Sequence, residues 1–106
     1  MIAYLVDKVA PELGGAKAIR GRSRRTVKGR PVITSAESDE AILRLERGEG
    51  HRFRIYCGDG HFVCSGRSLD NDSEDAFAPL DYYAEGEFGA VEIRYKRGST
   101  GGYEVL

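Results

Sequence analysis

Residues 52–64 read Arg52-Phe53-Arg54-Ile55-Tyr56-Cys57-Gly58-Asp59-Gly60-His61-Phe62-Val63-Cys64, and this stretch decides the fold. Phe53, Ile55 and Cys57 alternate with Arg52, Arg54 and Tyr56, the period of a strand with one buried face. Gly58-Asp59-Gly60 and a second apolar run follow, so the stretch is a β-hairpin. With Asp59-Gly60 as a two-residue turn, Cys57 faces Phe62, Ile55 faces Cys64 and Arg54 faces Ser65. Cys57 and Cys64 then stand diagonally, about 7–8 Å apart, too far for an unstrained disulfide.

Toward the C-terminus, Val91, Ile93 and Tyr95 alternate with Glu92, Arg94 and Lys96. Gly98-Ser99-Thr100-Gly101-Gly102 then leads into Tyr103-Glu104-Val105-Leu106, a second hairpin that ends the chain inside the sheet. Upstream, Thr34-Ser35-Ala36-Glu37 forms a capping box. The helix it starts, near residues 35 to 47, buries Ala41, Ile42 and Leu45, pairs Glu40 with Arg44 and stops at Gly48. Thr26-Val27 and Val32-Ile33 flank Pro31 as an edge strand, where a residue without an N–H is tolerated. Ile2, Leu5, Val6 and Val9 carry the spacing of one helix face, and Pro11 with Gly14-Gly15 closes that element. Pro79 opens a further short helix. The 106 residues suffice for one core. The expectation is therefore a single α+β domain: a three- or four-stranded antiparallel sheet of two hairpins, packed against one main helix and short helices.

Charge is segregated along the chain. Residues 1–30 carry eight Lys/Arg against two acids, and the remaining residues carry eight against fifteen. Lys17, Arg20, Arg22, Arg24, Arg25, Lys28 and Arg30 fall in residues 16–30 with no acid among them, which reads as a basic, mobile loop. Such a run can track a phosphate backbone, and seven engaged cations give a logarithmic salt slope of about −6. Residues 69–87 are the reverse: seven acids, no Lys or Arg, and embedded Phe77, Leu80, Tyr82 and Tyr83. Asp70, Asp72, Glu74, Asp75, Tyr82 and Tyr83 would present aromatic anchors ringed by negative charge, suited to a basic protein surface.

Other chemistries lack their patterns. His51, Cys57, His61 and Cys64 match no zinc half-site spacing, and the hairpin register sends His61 to the opposite face from the other three. No metal or cofactor is expected. Neither cysteine stands beside a nucleophile elbow or an oxyanion arrangement, so no catalytic residue is assigned. The acids around Asp72 lack the spacing of a calcium loop, and the Gly-rich segments match no phosphate-binding fingerprint. No apolar run approaches the roughly 18 residues of a membrane span, and Met1–Asp7 lacks the pattern of an export signal. A cytoplasmic protein without membrane contact is expected.

Phe53-Arg54-Ile55-Tyr56, Asp59-Gly60, Gly66-Arg67-Ser68, Phe77-Ala78-Pro79-Leu80-Asp81 and Ile93-Arg94-Tyr95 together resemble small uncharacterised proteins encoded by phages and mobile elements. The resemblance covers residues 51 to 106, and where that group has Asp before the turn this chain has Cys57-Gly58. It implies a stoichiometric binder of the anti-CRISPR or anti-restriction kind rather than an enzyme. The expected partner is a host protein complex that handles nucleic acid. The alternative is a small DNA- or RNA-binding module that uses residues 16–30.

Overall fold

The computed structural model describes residues 1–98 and 101–106. Seven antiparallel strands form one sheet: β1 (Ala3–Val9), β2 (Arg25–Val27), β3 (Arg30–Ala36), β4 (His51–Tyr56), β5 (Phe62–Ser68), β6 (Glu92–Arg97) and β7 (Gly102–Val105), in the order β2-β3-β1-β5-β4-β6-β7. The helices are short: α1 (Gly15–Arg20), α2 (Asp39–Glu46), and a helical stretch built from a 3-10 turn (Glu74–Phe77), a π turn (Leu80–Ala84) and α3 (Glu85–Phe88). The α+β class and the antiparallel sheet agree with the sequence reading. The sheet is larger than expected because the N-terminal third supplies three strands.

The first correction is β1. Residues 3–9 are a central strand, hydrogen-bonded to β3 on one side and β5 on the other, and not a helix. Its apolar residues serve both faces of the sheet: Ala3 and Leu5 pack under α2 with Val32, Ala41 and Leu45, while Tyr4, Val6 and Val9 enter the larger core. Two-faced burial removes the alternation that marks a strand, and the residual pattern imitates a helix stripe.

The second correction is the basic stretch. It is not a loop: Gly15–Arg20 is helical, with Ile19 buried, and Arg25–Val27 pairs with Arg30–Val32. The turn between them is the two residues Lys28 and Gly29, both in the left-handed region (φ 51° and 78°), as a two-residue hairpin turn of the primed type requires. Pro31 lies opposite Thr26, two residues beyond Ile33, where the β1–β3 ladder ends. There it forfeits no hydrogen bond to β1.

The α2 helix starts later than the capping box suggested. Thr34 remains in β3, and the cap is Ser38, whose Oγ accepts from the Ala41 N–H at 3.1 Å. Glu37 instead accepts from the Ile2 N–H at 3.1 Å, holding the end of β3 against the start of β1. Arg44 pairs with Glu49 at 3.0 Å rather than with Glu40. Gly48 stands just beyond the helix at φ 101°, the left-handed stop that the sequence predicts.

Both hairpins form. Ile55 faces Cys64 and Arg54 faces Ser65 as read, but a bulge near Tyr56 replaces the two-residue turn, so Tyr56 faces Phe62. Both cysteines are free. The β6–β7 hairpin runs from Arg94↔Val105 to Arg97↔Gly102, and Ser99-Thr100, within its connection, lies outside the described residues. β7 is an edge strand, and β6 pairs with β4, which sets the two hairpins side by side.

The sheet's two faces are covered unequally. Residues 74–88 and α1 close one face over Phe53, Ile55, Ile93 and Tyr95, and the Tyr95 hydroxyl donates to the Ala76 carbonyl at 2.7 Å. On the other face α2 packs chiefly on β1 and β3. It does not pack on the two hairpins, whose outer side is left open.

Candidate nucleic-acid interface

The open side is set by strand parity. Phe53 and Ile55 of β4 are buried, so Arg52, Arg54 and Tyr56 point the other way. The same rule sends Arg94 and Lys96 of β6 outward opposite buried Ile93 and Tyr95. Register aligns these side chains across strands. Lys8 stands opposite Ser65, Ser65 opposite Arg54, Arg54 opposite Arg94, and Arg94 opposite Val105, a single row over five strands. At about 4.8 Å between strands this row is about 19 Å long. In the next row Leu5 stands opposite Arg67, Arg67 opposite Arg52, and Lys96 opposite Tyr103.

Two of these cross-strand pairs, Arg54 with Arg94 and Arg52 with Arg67, oppose like charges. Such pairs weaken a sheet by tenths of a kcal/mol to about 1 kcal/mol each. Aromatic rings lie among the cations. The Arg54 guanidinium sits 4.0 Å from the Tyr103 ring centroid and that of Arg94 4.2 Å from Tyr56, while the Lys8 ammonium lies 5.8 Å from Phe62. Tyr56 and Phe62 meet edge to face at 6.1 Å. Of the three cations, Arg94 is also paired with a carboxylate, that of Glu92.

Beside this row an open groove of about 730 Å³ separates β1 from the β2–β3 hairpin, lined by Asp7, Lys8, Lys28, Arg30, Arg52 and Arg67 among others. It exists because the β1–β3 ladder stops at Val6↔Ile33 while β1 bulges between Val6 and Lys8. A smaller hollow of about 390 Å³ continues from Lys8 and Arg52 to Tyr56, Phe62 and Tyr103.

Two carboxylates meet these cations. Asp7 accepts from Arg52 at 2.9 Å and Glu92 from Arg94 at 2.5 Å. Burial opposes the charge of Arg52, but its hydrogen bond to Asp7 prevails and raises its pKa. Arg67 goes the other way: burial and, after the opposing pull of Asp7, the neighbouring charge of Arg52 lower its pKa. An anion added beside Arg67 would offset the charge of Arg52 that acts on it.

The residues singled out from sequence are dispersed. Lys28 and Arg30 line the groove. Arg22 is paired with Glu87, and Arg25 with Glu46, whose carboxyl it holds below the usual range. Lys17 and Arg20 are exposed on α1, which packs on the opposite face through Ile19, and Arg24 is exposed just before β2. In the acidic stretch, Asp70 caps the turn that follows it, accepting from the Asp72 and Ser73 N–H groups at 3.1 and 3.0 Å. Asp75 accepts from the N-terminal ammonium at 2.5 Å. Tyr83 is buried against Phe88 and is no surface anchor, because the helix turns it toward the core. Asp72, Glu74 and Tyr82 are exposed, Tyr82 to 71%.

Cys64, weighed as a nucleophile, is fully buried, and burial together with the charge of Asp7 pushes its thiol up to about 12. A thiol so protonated at neutral pH is a core residue. Sequence reasoning missed Lys8, Arg52, Arg54, Arg67, Arg94, Lys96 and the rings of Tyr56, Phe62 and Tyr103. The period-two alternation of Arg and Tyr in both hairpins was the available signal.

Lys28 occupies a turn position where Asn, Asp or Gly is favoured, and a left-handed lysine costs about 1–2 kcal/mol. Lys28→Asn is expected to raise unfolding free energy by up to about 1 kcal/mol in urea titration. In a binding assay it removes one cation from the groove, flattening the salt slope by about 0.7.

Among the described residues no helix is long and apolar enough to cross a membrane. No family model, curated protein or solved structure matches the chain, so the comparisons lend no support to the resemblance noted over residues 51–106.

Proposed function

We propose that this protein binds single-stranded nucleic acid, without sequence preference, across the open face of its sheet. The observation that carries the reading is the row of Lys8, Arg54 and Arg94 with its interleaved rings, in which like charges oppose each other across strands. Local rules are broken in this way where function demands it. Cations follow the phosphates, while Tyr56, Phe62 and Tyr103 offer π-faces on which unstacked bases rest. A shallow face with rings suits single strands, whose bases can splay, better than a duplex.

This reading keeps the alternative of a nucleic-acid module but moves its contacts from residues 16–30 to the sheet, with only Lys28 and Arg30 in common. If about six face cations engage, the logarithmic salt slope for a single strand is about −4. Fluorescence anisotropy with a labelled mixed-sequence single strand, titrated between low and physiological salt, measures it. A slope of −3 or steeper, with weaker binding to duplex of the same sequence, is the expected result; absence of binding at low salt refutes the proposal.

A second reading rests on Tyr82, exposed at 71% beside Asp81 and Glu85: docking to a basic surface of a host nucleic-acid-processing complex, as a phage-type inhibitor would. Tyr82→Ala with charge reversal at Asp72 and Glu74 leaves oligonucleotide binding intact if the sheet face is the site.

A further inference from the structure

The β4–β5 turn gathers three side chains of metal-ligand type that the sequence pattern had not grouped. The ligand atoms of Cys57, Asp59 and His61 lie within 4.8 Å of one another. The backbone arranges this. The Cys57 N–H donates to the His61 carbonyl and the Gly60 N–H to the Cys57 carbonyl, both at 3.0 Å, and Gly60 adopts φ 82°. The closed loop directs residues 57, 59 and 61 to one side, with glycines between them that contribute no bulk. His51 and Cys64, the other two candidates by residue type, lie outside this trio: His51 opens β4 at Ser68, and Cys64 is in the core.

We infer that this turn is a zinc-class divalent-cation site with Cys57 Sγ, one Asp59 carboxylate oxygen and one His61 ring nitrogen as ligands. Thiolate, imidazole and carboxylate are the donors that zinc accepts, in tetrahedral geometry. Tetrahedral bonds of about 2.0–2.3 Å place ligand atoms about 3.3–3.6 Å apart. Asp59 and His61 are exposed and Cys57 is half-buried, and the trio reaches that spacing by rotamer adjustment, since no hydrogen bond or ion pair holds any of the three side chains among the described residues. Cys57 releases its thiol proton to solvent on binding, and a water takes the fourth position. The site does not depend on the nucleic-acid reading, since none of its three residues lines the hollow at Tyr56 and Phe62.

Cobalt(II) titration of the reduced, untagged protein tests this, with zinc competition as the second step. One equivalent of cobalt is expected to bind with a thiolate-to-cobalt charge-transfer band in the near ultraviolet, which zinc abolishes. Cys57→Ser loses the band and His61→Ala weakens binding at least about 10-fold, while Cys64→Ser and His51→Ala retain both. Asp59→Asn, on an exposed turn, weakens binding without losing the band and serves should Cys57→Ser fail to fold. No band in the parent protein, or a band that survives Cys57→Ser, overturns the assignment.

Discussion

Lys8→Glu combined with Arg54→Glu is expected to weaken binding of a single-stranded oligonucleotide about 100-fold, at roughly 1–2 kcal/mol per reversed cation. Both side chains are exposed and lie in one cross-strand row, separated by Ser65. Thermal stability should be retained, because Arg54 faces Arg94 and its reversal turns a repulsive pair into an attractive one. A purely structural role for Lys8 and Arg54 predicts the opposite, unfolding with no specific loss of binding. The charge-matched control is Lys17→Glu with Arg20→Glu on the far face, which changes binding less than about 3-fold on the electrostatic argument alone. Equal losses in the two variants, read by anisotropy at one salt concentration, would show that only net charge matters and that the sheet face is not the site.

Gly66→Ala is expected to cost about 3 kcal/mol or more and to lower Tm by about 15 °C. A methyl group at this position would lie 1.8 Å from the Leu5 carbonyl oxygen and 3.0 Å from Phe53 Cζ. The first of these is backbone, so no rotamer change relieves it. Gly66 lies between Val6 and Phe53 in the register, where β1, β5 and β4 meet. Relief requires β1 to move off β5, which breaks the ladder next to the bulge that opens the groove. Urea denaturation checks the magnitude, and a loss below 1 kcal/mol would mean that β1 and β5 separate more easily than the contact allows.

The hairpins were legible because each has one buried face. Phe53 and Ile55 against Arg52 and Arg54, and Ile93 and Tyr95 against Arg94 and Lys96, announce strands without knowledge of neighbours. β1 was not legible, since Leu5 and Val6 are both buried, on opposite sides, and parity vanishes. The start of α2 was misplaced because Thr34 and Ser38 are both competent caps, and only pairing of Thr34 with Leu5 decides between them. The β2–β3 hairpin was hidden by lysine in a turn position that usually advertises itself with asparagine.

The site was less legible than the fold for a related reason. Its cations come from residues 8 to 96 and never form a run, so composition windows favoured residues 16–30, where Arg22 and Arg25 turn out to be spent on Glu87 and Glu46. What brings Arg54 to Arg94 is the β4–β6 pairing, a property of strand order. Each hairpin had displayed its outward cations; nothing in the sequence said that the two displays adjoin.

The position of β1 also governs how the chain assembles. Leu5 waits for Thr34 on one side and for Arg67 on the other, so the middle of the sheet closes only after two long excursions of the polymer. Loop closure of that kind precedes any energetic reward, which places refolding among the slow, millisecond-to-second topologies. Until Arg67 arrives, β1 carries an unsatisfied edge of apolar residues, the period in which a crowded solution most readily diverts it into self-association.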